Sequence, residues 1–240
     1  MLKEKKILAV IPARGGSKRL KNKNLLLLSN KSLIAWTIQA ARNSLYIDEI
    51  VVSTDAKEIA EEANRFGIKA PFLRPTELSS DESRSIDAVT HAIKWLKEHE
   101  DKSFDYVVLL QPTSPLRNAY HVDTALLELI NRDADAIVSV CESEHSPLWS
   151  NILPQNKSLE NFLKPEHINS RSQDLNQFYR LNGAIYICDI SRLLDEHTFF
   201  IKDNIYAYIM KQIDSVDIDT KLDFLMAEAI LKYKENENAK

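Results

Sequence analysis

Glycine is scarce in this chain, with four in 240 residues. Neither Gly-x-x-x-x-Gly-Lys-Ser/Thr nor Gly-x-Gly-x-x-Gly occurs, which excludes the Walker loop and the dinucleotide fingerprint. There are two cysteines, Cys141 and Cys188. Each sits in an apolar, strand-like run, where a reduced, buried thiol is the simpler reading. No Cys-x-x-Cys and no Ser–His–Asp or Cys–His arrangement is legible. His121, His145 and His197 lack metal-like spacing and read as ordinary histidines. No apolar run approaches the ~18 residues of a membrane span. No secretory signal precedes Ile7, so a cytoplasmic chain without membrane contact is expected. A net charge of −4 and a pI near 5.9 argue against general nucleic-acid binding.

What is present is concentrated early. Ile7-Leu8-Ala9-Val10-Ile11 has the length of a buried strand, and Pro12 ends it. Two of the four glycines follow side by side, Gly15 and Gly16, then Ser17. Arg14, Lys18, Arg19, Lys21 and Lys23 surround them, with Asn22 and Asn24 interspersed. Glycine lets backbone N–H groups turn inward onto a ligand. Cations this dense repel one another unless an anion sits among them, and a polyphosphate is the simplest. A solvated basic loop is the alternative, but it leaves the paired glycines after a buried strand unexplained.

Hydrophobic residues make up 44% of the chain, enough for the core of one α/β domain over 1–240. Ser32 is placed to cap a helix carrying Leu33, Trp36, Thr37, Ala40 and Ala41. Ile50 to Thr54 reads as a strand, Asp55 as the cap of the next helix, and Gly67 as its stop. A short strand is expected over 70–73, then Arg74-Pro75. A helix runs through Ile86 to Leu96, with Ser85 in its first turn. Strands are expected over 106–110 and 136–141, with a helix through Val122 to Ile130 between them. This alternation predicts a Rossmann-like three-layer α/β/α fold with a mostly parallel sheet. Ligands then bind beyond the carboxyl ends of strands, where the basic loop, Ser53-Thr54-Asp55 and Gln111 to Arg117 all lie. From 142 to 180 the chain is polar and irregular, and a flap or dimerisation insert is expected there. Strands follow at 183–188 and 205–210, then a last helix through Leu222 to Ile230. The charged tail from Lys232 should fray.

Asp217-Ile218-Asp219 is the second feature. In an extended segment both carboxylates point to one face and repel unless a cation lies between them. Magnesium suits a few carboxylates plus phosphate oxygens and water. Asp214 and Asp223 lie nearby, so a solvated acidic turn is the alternative. With a phosphate loop in the same chain, a metal–nucleotide site accounts for both charge problems at once. Arg74, held extended before a proline, and Gln111 and Arg117, flanking a proline-stiffened loop, are weaker candidates.

In order, Ile11-Pro12-Ala13-Arg14-Gly15-Gly16-Ser17-Lys18, Val52-Ser53-Thr54-Asp55, Leu73-Arg74-Pro75, Leu110-Gln111-Pro112-Thr113-Ser114-Pro115-Leu116-Arg117, Asn182-Gly183-Ala184-Ile185-Tyr186 and Asp217-Ile218-Asp219-Thr220 resemble the acylneuraminate cytidylyltransferases, or CMP-sialic acid synthetases. The resemblance covers about Ile7 to Ile230. The loop departs from the pattern near Leu20 to Asn22, where many members carry a proline. The resemblance implies that CTP and a nine-carbon 2-keto sugar acid give a CMP-sugar and pyrophosphate. It implies that Arg14, Lys18 and Lys23 hold the triphosphate, and that Asn24, Arg74, Ser85 and Gln111 contact cytidine. It places Mg2+ on Asp217 and Asp219, and the sugar against Gln111, Arg171, Tyr186, Phe199 and Phe200, with Arg171 at the carboxylate. Lys23, Arg14 and Asp217 become the residues nearest the chemistry. It also implies a homodimer whose contacts lie in the 142–180 insert. Glu144 to Trp149 resembles the bacterial legionaminic acid branch. Other sugar acids, of the pseudaminic or 3-deoxy-octulosonate type, a polyol phosphate, or a non-catalytic sensor on the same fold remain alternatives.

Overall fold

The computed structural model describes residues 2, 4–80 and 82–238. Its centre is β1 (Ile7–Pro12), which is apolar on both faces because both faces are covered. Ile7, Ala9 and Ile11 pack on one side against α1 (Leu33–Arg42), α2 (Lys57–Arg65) and α4 (Ala119–Asn131). Leu8 and Val10 pack on the other against α3 (Ser85–Glu100) and α5 (Ile190–Glu196). The alternation of strand side chains thus builds two cores and the expected three layers.

The other sheet strands are β4 (Glu49–Ser53), β5 (Tyr106–Leu109), β6 (Ala136–Glu142), β7 (Tyr179–Asp189) and β8 (Ile205–Met210), in the order β4-β1-β5-β7-β6-β8. A two-stranded hairpin, β2 (Leu27–Leu28) and β3 (Lys31–Ser32), lies apart from the sheet. β1 runs parallel to β4 and β5, and β6 runs parallel to β8. β7 is antiparallel to both of its neighbours and separates β5 from β6. The sheet is mostly parallel, but the strand at 136–142 does not pair with the one before it in sequence.

Local sequence accounts for most elements. Ser32 caps α1 by accepting from the Ala35 N–H at 3.3 Å. Gly67 ends α2 in the left-handed region, φ 73°. Three expectations need correction. Over 70–73 only Leu73 bridges to Thr54, since Pro71 and Pro75 break any ladder there. Asp55 does not cap α2, whose N-terminus has no side-chain cap; its carboxylate turns to the Gly15 loop. Over its described residues the C-terminal tail is helical, as α6 spans Lys221–Asn238, and residues 239–240 lie outside the described residues. Leu231 packs there against Leu28 and Phe224, and Lys234 bonds to Asp214. Between β6 and β7 the chain forms only 3-10 turns, at Pro147–Trp149, Pro165–His167 and Ser172–Asp174, and leaves Ile152 and Ile168 exposed.

One irregularity positions the site. Pairing of β6 and β7 slips between Val138 and Val140, opposite Gly183, whose φ is 72°. Buried Asn182 fills the gap. Its Oδ1 accepts from Ser139 Oγ at 2.6 Å and from the Ala184 N–H at 3.2 Å, and its Nδ2 donates to Ser215 Oγ at 3.0 Å. These bonds replace missing ladder bonds and tie the sheet to the segment that carries Asp217. Asn182→Ala leaves several buried groups unpaired and should cost about 2–3 kcal/mol, read from urea unfolding. An unchanged midpoint would remove this network from the account.

Candidate active site

β1, β4 and β5 end at one sheet edge, and a cleft of about 600 Å³ opens there. Arg14, Ser17, Lys18, Lys23, Asn24, Arg74, Ser85, Gln111 and Asp219 all line it. Gly15 and Gly16 line an adjoining hollow together with Arg14, Ser17 and Lys18. The structure therefore brings the basic loop, the start of α3, the loop after β5 and one aspartate of the carboxyl-terminal pair to a single cleft. Arg19 of the basic loop and Thr113 of the loop after β5 also line the cleft, as do Ser83 and Arg84, which carried no distinctive sequence signal.

The basic loop is held by its own side chains. Asn24 Nδ2 donates to the Arg14 carbonyl at 2.9 Å, and Arg14 Nη1 reaches the Ser80 carbonyl at 3.1 Å. Asn22 adopts φ 53°, where a proline cannot go, and opens the single turn that presents Lys23. Gly15 acts differently from the sequence expectation. The Gly15 N–H does not turn inward but donates to Asp55 Oδ1 at 2.9 Å. A Cβ on Gly15 would lie 2.9 Å from the Ala56 Cβ, whereas one on Gly16 would meet nothing within 4 Å. Gly15 thus serves close packing of the loop on the start of α2.

Arg74 is almost fully buried, its Nε bonded to Ser79 Oγ at 3.1 Å. Burial lowers its guanidinium from the ordinary value, the nearby Asp55 charge opposes that, and Arg14 adds to it. Across the cleft, Lys23 Nζ donates to Asp219 Oδ1 at 2.8 Å and to the Ile218 carbonyl at 3.0 Å. Arg19 Nη1 takes the other oxygen of Asp219 at 3.0 Å.

Asp217 lies deeper, against Gly183, with Oδ2 3.4 Å from where a Cβ would be. Its Oδ1 is buried with no hydrogen-bond partner. Burial raises its carboxyl above the ordinary range and the Asp219 charge adds to this, while the Thr113 hydroxyl and Lys23 oppose it. The two carboxylates therefore interact, but Asp219 faces the cleft while Asp217 lines a neighbouring hollow with Glu144, Arg180 and Gln212. Asp223 is occupied, accepting from the N–H of Thr220 at 2.6 Å and of Asp219 at 3.1 Å. Among the described residues no group of three or more His, Cys, Asp or Glu could hold a metal. A divalent cation still fits the pair, because the buried Asp217 Oδ1 has no hydrogen-bond partner to offset its desolvation.

The remaining sites differ. Tyr186 contacts Phe199 at 5.7 Å and Phe200 at 6.3 Å between ring centres. Burial, then the nearby Asp217 charge, raises the Tyr186 hydroxyl, and none of the three aromatic residues lines the cleft. Arg171 is not brought to either. It pairs with Asp174 at 2.7 Å on the insert, with 74% of its side chain exposed, and lines neither the cleft nor the hollow beside Asp217.

A family model described as Cytidylyltransferase matches residues 8–236. Of curated proteins, the chain is similar to the CMP-N,N'-diacetyllegionaminic acid synthase of Legionella pneumophila, 38% identical over 95% of this chain and 97% of that protein. It is 36% identical to a pseudaminic acid cytidylyltransferase of Campylobacter jejuni over 95% and 97% of the two chains. It is 36% identical to an N-acylneuraminate cytidylyltransferase of Escherichia coli over 95% of this chain but 53% of that longer one. Among solved structures, a CMP:2-keto-3-deoxy-manno-octonic acid synthetase complexed with CTP superposes with a TM-score of 0.70 at 18% identity, over 95% and 99% of the two chains. That likeness speaks for the fold.

The glycine geometry gives a paired test. Overpacking typically costs 1–3 kcal/mol, so Gly15→Ala should weaken pyrophosphate binding by roughly 5- to 100-fold, while Gly16→Ala stays near wild type, measured by calorimetry. Equal effects of the two would contradict the packing role of Gly15. A second test uses pH. Because the Asp217 carboxyl is raised in the fold, metal-free stability should fall as pH rises from the ordinary carboxylate value to the raised one, then level off. Asp217→Asn should remove that slope; a slope kept in Asp217→Asn belongs to another group.

Proposed function

The chain belongs to the cytidylyltransferase family, and we propose that it activates a nine-carbon 2-keto sugar acid of the legionaminic type with CTP, giving the CMP-sugar and pyrophosphate. The observation that carries this reading is the single cleft in which Arg14, Lys18 and Lys23 face Asp219. A strongly anionic ligand accompanied by a cation suits both sides of such a cleft. A magnesium–nucleoside triphosphate has that composition.

In the proposed reaction the anomeric hydroxyl oxygen of the sugar attacks the α-phosphorus in line. The new O–P bond forms as the bond to the pyrophosphate oxygen breaks, and the hydroxyl proton passes to bulk water. Arg14, Lys18 and Lys23 offset the charge that builds on the phosphate oxygens, which is where such transfers gain most of their rate. Asn24, Arg74, Ser85 and Gln111 face the same cleft and are suited to hold the nucleoside. Asp217 and Asp219 would hold Mg2+, which when bound supplies Lewis-acid stabilisation of the phosphates. Tyr186, Phe199 and Phe200 offer an apolar wall beside Asp217 for the sugar.

The sugar class rests on the relatives. The legionaminic and pseudaminic proteins are almost equally similar in sequence, so both sugars belong in the assay. We place the protein in the cytoplasm, in keeping with its two unpaired buried cysteines, and as a homodimer. The exposed apolar residues of the 142–180 insert, such as Ile152, support that assembly.

Pyrophosphate release with CTP and a panel of nonulosonic acids tests the reading. Turnover is expected with the legionaminic type, and no turnover with any member would refute it. Asp219→Asn should lower kcat by roughly 10²–10³, with the fold intact by circular dichroism. Wild-type turnover in that variant would take Asp219 out of the metal site.

A further inference from the structure

Arg117 ends the loop whose earlier residues Gln111 and Thr113 line the cleft. Its side chain folds back behind that loop and is 1% exposed. Nη2 donates to Thr37 Oγ1 at 2.7 Å, while Nε and Nη1 have no hydrogen-bond partner. Thr37 Oγ1 donates onward, in a long contact of 3.5 Å, to the carbonyl oxygen of Gln111. Among the described residues no carboxylate pairs with the guanidinium. Desolvation lowers it to about 9, so it stays cationic at neutral pH.

Burying an unpaired cation is expensive, and a well-packed apolar side chain of similar volume is often as stable or more so. A residue kept only for packing would not need the charge. What the position does offer is proximity to the nucleotide wall. The loop is pinned at its other face as well, where the Ile218 N–H donates to the Thr113 carbonyl at 2.7 Å.

Resting on the nucleotide reading of the cleft, we propose that Arg117 is a positioning residue for nucleotide binding. It fixes the Gln111 backbone through Thr37 and holds an unscreened positive charge behind the wall the nucleotide meets. It does not touch the ligand. The charge is buried, so its contribution should persist at high salt, where the exposed loop cations lose theirs.

The test uses the full-length Arg117→Met and Thr37→Val proteins, with thermal unfolding and pyrophosphate release measured against CTP at low salt and at 0.5 M KCl. Arg117→Met should melt no lower than wild type and raise KM for CTP roughly 10-fold, with kcat within about 2-fold, at both salt concentrations. Thr37→Val, which removes one hydroxyl, should raise KM by a smaller factor. A lowered melting midpoint with wild-type KM in Arg117→Met would make Arg117 merely structural and overturn the proposal. If Arg117→Met fails to fold, a wild-type KM in Thr37→Val overturns it instead. Absence of any turnover in the unsubstituted protein would remove the nucleotide reading along with it, which separates the two failures.

Discussion

The site depends on one contact, the ammonium of Lys23 against the carboxylate of Asp219 across 196 residues of sequence. Its lysine end is largely buried and its aspartate end half-exposed, so water screens it in part and its contribution to stability is modest. Its importance is geometric. It closes the two ends of the chain over one cleft, so that the cations of the loop and Asp219 face the same space. The Ile218 carbonyl receives the same lysine, and the Ile218 N–H holds the loop after β5, which joins all three walls.

That arrangement leaves charges that folding alone does not satisfy. Asp217 keeps an unpaired buried oxygen, and Arg117 keeps two unpaired buried donors. Asp217 lies beside Gly183 and Arg117 beside Thr37, next to the loop whose Gln111 and Thr113 line the cleft. A fold selected for stability alone would neutralise such groups or replace them. The surrounding three-layer core is apolar on both faces of β1 and can carry that cost. The slip at Asn182 and Gly183 serves the same end, giving up regular pairing of β6 and β7 to place Asp217.

Much of this was legible in the chain. The apolar run at Ile7 to Ile11 gave β1, because a strand buried on both faces has no polar alternation to hide it. Ser32 and Gly67 marked helix ends by local chemistry. The residues of the cleft share strand ends, so their convergence followed from the α/β alternation. What was not legible depends on contacts distant in sequence. β7 enters the sheet between β5 and β6, and nothing local to residues 136–142 signals that. Asp55 looked like a cap, since Asp before a helix usually is one; the competing donor, Gly15, lies 40 residues away. The tail from Lys232 looked too charged to stay helical, because its anchors, Asp214 and the Leu28 cluster, are distant in sequence.

The central claim is that one ligand joins the basic loop to the aspartate pair, so cation and nucleotide must bind with positive coupling, each strengthening the other by the same factor. Mn2+ affinity measured by electron paramagnetic resonance, with and without CTP, tests this directly. The account predicts that CTP tightens the protein's hold on Mn2+ by on the order of 10-fold, within the usual range of such couplings. Equal Mn2+ affinity in the two conditions, once binding of Mn2+ to free CTP is subtracted, would contradict it.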